Sequence, residues 1–229
     1  IVRENKGAKI LQAVLCDIGA TLIDGASASP SRQICQRLGL DKRARERIAQ
    51  LIMCQSLADE QELIQALKRF YTLSWEQENL LVQLRPSQAN CTREIAGATE
   101  LIRALKERGF KIGLVSNIWV PYYRSFQATC PEIVQMVDFA ALSFREGWKK
   151  PSPKLLQIAL ANLEVKAAWM VGDTYENDLK PAQNLPVKTV WFLRRPEKEV
   201  MAMQKVLLGE WPYPDLIVDS LKKLQKELV

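Results

Sequence analysis

The feature that most constrains the fold is a regular alternation of short apolar segments and helical patterns. The apolar segments lie at 10–18, 110–117, 136–143, 167–173, 187–193 and 215–219. Helical patterns lie between them at 98–108, 153–163 and about 177–184. Continuous apolar runs of this length are typical of strands buried on both faces. The alternation therefore predicts an α/β fold, in which a parallel sheet is covered by helices on both faces.

Residues 26–92 interrupt this alternation, because they contain no convincing strand and carry the pattern of about four helices. The start signals are Ser31, Asp41, Asp59 and Ser74. Asp59 with Glu62, and Ser74 with Gln77, have the spacing of a capping box, and Pro86 ends the helical run. We therefore predict a helical module inserted after the first strand.

The chain contains no histidine among its 229 residues. This excludes Ser-His-Asp and Cys-His catalysis and any metal site that needs an imidazole ligand. The five cysteines form no CxxC pair, and none is followed by arginine at the spacing that cysteine-based phosphatases require. The chemistry must therefore use carboxylates, lysines, hydroxyls and backbone groups.

The net charge of +6 gives a long-range attraction for anions but does not by itself indicate nucleic-acid binding. The basic residues form small groups, Arg194 with Arg195 among them, which we interpret as solvated faces. We expect no nucleic-acid partner, and no membrane span because the longest apolar runs are too short. The scattered cysteines and the absence of a signal-peptide pattern predict a cytoplasmic protein. The first residue is not Met, and the sequence leaves the position of the true N-terminus open.

Several polar residues follow the predicted strands directly. The first strand ends at Asp17, the second at Ser116 and Asn117, and the fourth at Gly172 and Asp173, with Asp178 five residues further on; Lys149 and Lys150 precede the fourth strand. Ligands of parallel sheets bind outside the carboxyl ends of the strands. We therefore expect these groups to converge at one edge of the sheet.

Three carboxylates brought together repel one another, and one lysine offsets only part of that repulsion. A hard divalent cation with oxygen ligands, most simply Mg²⁺, would complete the charge balance. A hydroxyl, a lysine and backbone N–H groups beside such an ion suit a phosphoryl group. Asp17 is then the natural nucleophile, because carboxylates form phospho-aspartyl intermediates.

The four segments resemble, in order, the four motifs of the haloacid dehalogenase superfamily of hydrolases. The resemblance implies that Asp17 is the nucleophile and that Thr21, Ser116, Asn117 and Lys150 bind phosphate, with Lys150 also catalytic. It implies Mg²⁺ ligands at Asp17, Gly19, Asp173 and Asp178. It also implies a Rossmann-like core formed by 1–25 and 93–229, with 26–92 as an inserted α-helical cap, and a small phosphorylated or other anionic substrate.

Gly19 departs from the family pattern. Phosphatases of the family usually carry an aspartate there, which protonates the leaving group and then activates water; the backbone carbonyl at this position binds the metal, which glycine still allows. General acid–base help is typically worth about 10²–10⁴-fold in rate. We therefore expect weak turnover of alkyl phosphates and better turnover of acyl or aryl phosphates, whose leaving groups need little protonation.

Other chemistries of the family stay open. Dehalogenases also lack the acid but use no metal, and the carboxylate of Asp173 argues against them. Phosphonoacetaldehyde hydrolases use a cap lysine, for which Lys42 and Lys68 are the candidates, although neither is expected to be desolvated. A non-catalytic phosphate-binding or scaffold protein would keep the fold and the metal site. The sequence selects neither a substrate nor an oligomeric state.

Overall fold

The structure of the protein is a computed structural model that describes residues 12–25, 28–84 and 91–229. In chain order the strands in these ranges are β1 (Gln12–Cys16), β2 (Ile23–Asp24), β3 (Arg93–Glu94), β4 (Lys111–Ser116), β5 (Phe139–Leu142), β6 (Ala167–Gly172), β7 (Val187–Phe192) and β8 (Leu216–Val218). Six of them form a parallel sheet in the order β5-β4-β1-β6-β7-β8, while β2 and β3 pair as a short antiparallel ribbon. All six predicted strands and the parallel α/β fold class are confirmed.

Strand β1 lies at the centre of the sheet, between β4 and β6. Leu15 is paired with Gly113 on one side and with Met170 on the other. The chain first moves from β1 to β4 and β5, and then returns across β1 to build the other half of the sheet. This reversal makes the crevice beyond the carboxyl end of β1 the place where a doubly wound sheet binds its ligand.

The α-helices of the described ranges lie on both sides of the sheet and in the segment between β2 and β3. They are α1 (Pro30–Leu38), α2 (Lys42–Cys54), α3 (Glu60–Lys68), α4 (Trp75–Val82), α5 (Ala98–Glu107), α6 (Val120–Thr129), α7 (Pro131–Met136), α8 (Ser143–Glu146), α9 (Lys154–Leu163), α10 (Val200–Leu207) and α11 (Leu221–Leu228). None of them is long and apolar enough to cross a membrane.

Both faces of β1 are buried, as its continuous apolar sequence predicts. Val14 and Cys16 pack into a cluster with the predicted inner face of α5, whereas Ala13 and Leu15 pack into a second cluster with α9 on the opposite face. Successive side chains of a strand point to opposite faces, so one short segment fills two cores. This burial fixes β1 tightly, and with it the residue that follows.

Helices α1 to α4, which we call the helical module, share a third apolar cluster. This cluster also includes Trp119, which lies between β4 and α6. Three of the predicted start signals are confirmed, since Asp41, Asp59 and Ser74 each accept a hydrogen bond from a backbone N–H of the first turn. The fourth was wrong: α1 is capped by Ser29, because Pro30 occupies the first helical position and needs no N–H partner there. Ser31 lies inside the first turn and is buried.

The predicted end of the module at Pro86 lies outside the described residues, and the division of the chain into core and cap stays a prediction.

The type of secondary structure predicted for 177–184 was wrong. The segment predicted as a helix at 177–184 is a π-helical turn, Tyr175–Leu179, followed by a 3₁₀ turn, Lys180–Ala182. The N–H of Lys180 bonds to the carbonyl of Tyr175 five residues earlier, and Pro181 has no N–H to continue the helix.

The capping box of α4 gives a test of how the module is stabilised. The Ser74 hydroxyl accepts from the N–H of Gln77, whose side chain accepts from the N–H of Ser74. We expect Ser74→Ala to lower the free energy of unfolding by about 1 kcal/mol, because the N–H of Gln77 loses the hydroxyl that accepts from it. Urea denaturation would measure this. Ser56→Ala, at an exposed position before α3, is the matched control, and equal destabilisation by the two changes would contradict the capping role.

Candidate functional site

Asp17 occupies the residue position immediately after β1. Its N–H donates to the carbonyl of Val171 at 2.9 Å, so the β1–β6 ladder continues one residue beyond the strand and fixes the Asp17 main chain. The side chain lies at the carboxyl edge of the sheet, where the residue is only 8% exposed. The structure thus places Asp17 in the crevice that the sheet topology selects.

Lys150 lies opposite Asp17 and is 2% exposed. Its Nζ donates to Asp17 Oδ1 at 2.7 Å, to Asp178 Oδ1 at 2.5 Å and to the carbonyl of Val115 at 2.8 Å. These contacts use all three hydrogens of the ammonium group. Lys150 therefore joins the ends of β1 and β4 to the turn that follows β6.

The main chain of Lys150 is held by Asn117. The side-chain oxygen of Asn117 accepts from the Lys150 N–H at 2.7 Å, and its amide nitrogen donates to the Lys150 carbonyl at 2.9 Å. This pair orients Lys150 and engages both polar atoms of the Asn117 side chain. Direct contact of Asn117 with phosphate stays a prediction, and the geometry adds a positioning role that the sequence did not suggest.

Asp173 and Asp178 follow β6 on either side of the start of the π-helical turn. Asp173 is ion-paired with Arg195, and its main-chain carbonyl accepts from Trp191 Nε1 at 3.2 Å. Asp178 is 1% exposed, and its Oδ2 accepts from the N–H of Thr174 at 2.9 Å. Residue 172 must be glycine for this arrangement, because a Cβ there would overlap the Asp178 side chain.

Asp17, Asp173 and Asp178 form what we call the acidic cluster, in which one carboxylate oxygen of each residue lies within 4.8 Å of the others. Within the described part of the chain, two cationic side chains form ion pairs with these three carboxylates, Lys150 and Arg195. Hard oxygen ligands and one uncompensated negative charge suit a divalent cation of the Mg²⁺ type. The buried acidic cluster that was predicted is therefore present.

The surroundings shift the protonation of these groups. Burial raises the pKa of Asp173 above its ordinary value, and the nearby charge of Asp17 adds to this, while Arg195 opposes it. Burial likewise raises the pKa of Asp178, with Lys150 opposing and the other two carboxylates reinforcing the shift. Burial alone would lower the pKa of Lys150, but Asp17 and Asp178 outweigh it and raise that pKa. The cluster thus holds its anions under mutual repulsion, which an added cation would relieve.

The acidic cluster opens into a cavity of about 620 Å³. Ser116 and Gly19 line it near the strand ends, as predicted for site residues, and Met53 contributes from the helical module. Thr21 differs, because it is fully buried and is not part of the cavity lining. Its hydroxyl has no hydrogen-bond partner among the described residues, and its predicted contact with phosphate stays a prediction.

Gly19 has room for a side chain. A Cβ built there would have Tyr122 Cε1 as its nearest neighbour, at 4.0 Å, which is ordinary van der Waals contact, and the backbone is not in the left-handed region. Packing therefore does not require glycine at this position. The missing acid is a feature of the site's chemistry and not a steric necessity.

The sequence interpretation missed the positions of two arginines after β7, of which Arg195 lines the cavity. Arg194 and Arg195, interpreted as part of a solvated face, instead follow the carboxyl end of β7: Arg194 pairs with Asp24 at 2.5 and 2.6 Å, and Arg195 pairs with Asp173. The signal was present, because both residues come directly after a predicted strand, at the edge where ligands bind.

The aromatic residues beside the motifs have different positions. Trp119 lines the cavity, Tyr175 is buried between the rings of Trp191 and Trp211, and Trp148 is 50% exposed. Tyr122, which the sequence did not single out, also lines the cavity. The sequence pattern does not predict this position, because Tyr122 lies in the first turn of α6 and its spacing there is that of an ordinary helical residue.

A family model described as haloacid dehalogenase-like hydrolase matches residues 14–192. The glyceraldehyde 3-phosphate phosphatase of Pyrococcus abyssi is 34% identical over 102 residues, 44% of this chain and 42% of that protein. The same enzyme of Pyrococcus furiosus is 30% identical over 138 residues, 59% of this chain and 55% of that protein. The chain thus spans about half the length of these curated relatives.

Solved structures share the fold at low sequence identity. A predicted phosphoglycolate phosphatase from Haemophilus somnus has a TM-score of 0.61 at 15% identity, covering 97% of this chain and 100% of its own. A 2-haloacid dehalogenase from Pseudomonas syringae has a TM-score of 0.61 at 18% identity, covering 95% and 98%. Proteins titled for different chemistries share this fold, so the fold alone does not select the reaction.

Lys150 and its neighbour Lys149 provide a matched pair for testing the site. We expect Lys150→Met to destabilise the protein by about 3–5 kcal/mol, because it leaves buried carboxylates without their cation. Lys149→Met should change stability by less than about 0.5 kcal/mol, since Lys149 is only partly buried. Chemical denaturation of both variants would measure this, and similar stabilities would contradict the arrangement described here.

Proposed function

The chain belongs to the haloacid dehalogenase-like hydrolase family, and we propose that it is a Mg²⁺-dependent phosphatase acting on a small phosphorylated substrate. The observation that carries the proposal is the acidic cluster beside Lys150 at the end of β1, in one cavity with Ser116. The two Pyrococcus relatives named as phosphatases support it. The residues also suit the alternative that was expected from the sequence, an acyl or aryl phosphate as substrate.

The oxygen donors of the acidic cluster fit a Mg²⁺ ion. We assign its ligands to the carboxylates of Asp17 and Asp173 and the main-chain carbonyl of Gly19. Asp178 contributes mainly negative charge, because both of its oxygens already accept hydrogen bonds from Lys150 and Thr174. When bound, the ion supplies positive charge against the phosphoryl oxygens.

The residues of the chain then divide the work of phosphoryl transfer. A carboxylate oxygen of Asp17 attacks phosphorus, and the bond to the leaving oxygen breaks, giving an aspartyl phosphate. The Ser116 hydroxyl holds a phosphoryl oxygen, and Lys150 fixes the attacking carboxylate and places its positive charge beside the phosphoryl group. A direct contact of Lys150 with a phosphoryl oxygen would replace one of its three present hydrogen bonds. Water then displaces Asp17 from phosphorus, which releases inorganic phosphate and restores the carboxylate.

The other chemistries considered from the sequence receive less support. The two lysines considered for a Schiff base, Lys42 and Lys68, are not part of the cavity lining, and Lys68 is paired with Glu78 at 2.7 Å. The carboxylate of Asp173 continues to argue against metal-independent dehalogenation. A non-catalytic phosphate-binding protein is the second candidate, favoured by the absence of an acid at Gly19 and by the pairing of Asp173 with Arg195.

The remaining parts of the proposal concern the whole molecule. We propose that 26–92 act as a cap over a core made of 1–25 and 93–229, because helices α1 and α2 contribute Pro30 and Met53 to the cavity. A small anionic substrate and a cytoplasmic location complete the proposal.

Removal of the nucleophile tests the enzymatic function. With Mg²⁺ present, we expect Asp17→Asn to lower kcat for p-nitrophenyl phosphate and acetyl phosphate by about 10³-fold or more, since an amide does not replace a nucleophilic carboxylate. Asp219→Asn, at an exposed surface pair, is the control. Initial rates measured with and without EDTA test the metal at the same time. If the unaltered protein turns over neither compound, the non-catalytic candidate replaces the phosphatase.

Restoring the acid tests the interpretation of Gly19. We expect Gly19→Asp to raise kcat for glyceraldehyde 3-phosphate by roughly tenfold or more, because a general acid is worth 10²–10⁴-fold for poor leaving groups. The rate with p-nitrophenyl phosphate should change far less. Gly19→Asn, which has the same size but no acid, is the matched control in steady-state assays. Equal effects of the two variants would show that the proton is not limiting.

A further inference from the structure

Tyr122 lies across the two glycines that border Asp17 and the cavity mouth. Its Cε1 is the nearest atom to the position that a Cβ of Gly19 would take, at 4.0 Å, and its hydroxyl occupies the space that a Cβ of Gly25 would need. The backbone is not in the left-handed region at either position, so backbone conformation does not require glycine there. One aromatic residue from α6 thus fills the side-chain space of Gly25 and borders that of Gly19.

The placement of the leaving group follows from the geometry of attack. In-line displacement puts the leaving oxygen opposite the attacking one. Asp17 attacks from the end of the sheet, where Lys150 also lies, so the leaving oxygen faces away from the sheet, toward the wall made by the helical module and α6. Met53 and Trp119 contribute mainly apolar surface to that wall.

Among the residues that the structure describes, two with a hydroxyl group line this wall, Ser29 and Tyr122. The Ser29 hydroxyl is engaged at the start of α1, where it accepts from the N–H of Arg32 at 3.4 Å and contacts the hydroxyl of Ser31. The Tyr122 hydroxyl has no hydrogen-bond partner among the residues that the structure describes. Of these two hydroxyls, it is therefore the one available to a substrate.

We propose that Tyr122 is a catalytic residue, whose hydroxyl donates a hydrogen bond to the leaving-group oxygen in place of the side chain that Gly19 lacks. This inference rests on the proposed phosphatase function. As Asp17 bonds to phosphorus, the leaving oxygen departs with the bonding electron pair, stabilised by the phenol O–H, and takes its proton from water.

The environment of Tyr122 suits a donor that keeps its proton. Burial raises the pKa of the phenol above its ordinary value, and neighbouring anionic groups, including Asp17 and Asp24, add to the shift. The phenol therefore stays protonated at neutral pH and stabilises negative charge without transferring a proton. Such help matters most for alkyl leaving groups, which develop the most charge, and little for aryl ones.

The ring of Tyr122 also packs against both the sheet cluster and the cluster of the helical module. A purely structural role would therefore use the ring and not the hydroxyl. Tyr122→Phe keeps the ring and removes only the oxygen, which separates the two roles. Tyr123→Phe is the matched control, since the same change falls on the next residue of α6, whose ring packs on Phe126 and Phe144.

The kinetic test compares two probes, glycerol 1-phosphate and p-nitrophenyl phosphate, with Mg²⁺ present. We expect Tyr122→Phe to lower kcat roughly 10- to 100-fold for the alkyl ester, the worth of one hydrogen bond to a charged oxygen, and less than about threefold for the aryl ester. Tyr123→Phe should change neither rate. In a Gly19→Asp background the effect of Tyr122→Phe should shrink, because the new acid takes over the leaving oxygen. Equal losses on both esters, or no loss on the alkyl ester, would overturn the proposal.

A binding test decides the role of Tyr122 independently of turnover. In the Asp17→Asn background, calorimetry would compare glycerol 1-phosphate with inorganic phosphate, which lacks a leaving group. Tyr122→Phe should weaken binding of the ester about three- to tenfold and leave phosphate unchanged. If the unaltered protein hydrolyses neither ester, the proposed phosphatase function is wrong. The role of Tyr122 in binding the ester is then decided by the calorimetric comparison alone. Identical affinities for the ester with Tyr and Phe would then overturn the inference.

Discussion

The arrangement of the site depends on one buried ammonium group, that of Lys150, placed between the carboxylates of Asp17 and Asp178. Burying a charge is costly unless it is paired and fully hydrogen-bonded, and here all three N–H groups have partners. Because one of those partners is the carbonyl of Val115, the ammonium is tied to the sheet itself. The end of β1, the end of β4 and the turn after β6 therefore keep a single relative geometry.

The charge of the cavity follows from this arrangement. Lys150 neutralises one carboxylate of the acidic cluster and Arg195 a second, so one negative charge is left for a divalent cation to outweigh. With such an ion bound, the cavity becomes net positive and attracts a phosphate dianion. Arg195 thus shifts the balance toward anionic ligands. The indole N–H of Trp191 donates a hydrogen bond to the main-chain carbonyl of Asp173. This bond fixes the main chain of Asp173, so the ion pair with Arg195 need not move the carboxylate out of the acidic cluster.

Much of this could be predicted from the sequence, because local patterns carry it. The continuous apolar run of β1 reflects burial on both faces and predicts the strand, and the ends of the predicted strands identify Asp17 and Asp173. The π-helical turn could not be predicted, since it depends on the packing of Asp178 against Gly172 and not on the propensities of 175–182. The same holds for the placement of Tyr122, which joins residues about a hundred positions apart in the chain.

Gly19 has one meaning in the sequence and another in the structure. In the sequence motif, Gly19 indicates that the usual proton donor is absent. In three dimensions it marks space beside Asp17, and Tyr122 borders that space from another element, with Gly25 leaving room for the hydroxyl. A functional group need not come from the chain position where a family usually carries it, because a site is defined by where atoms lie and not by their order. A glycine at a catalytic position therefore calls for a search of the neighbouring elements before activity is judged lost.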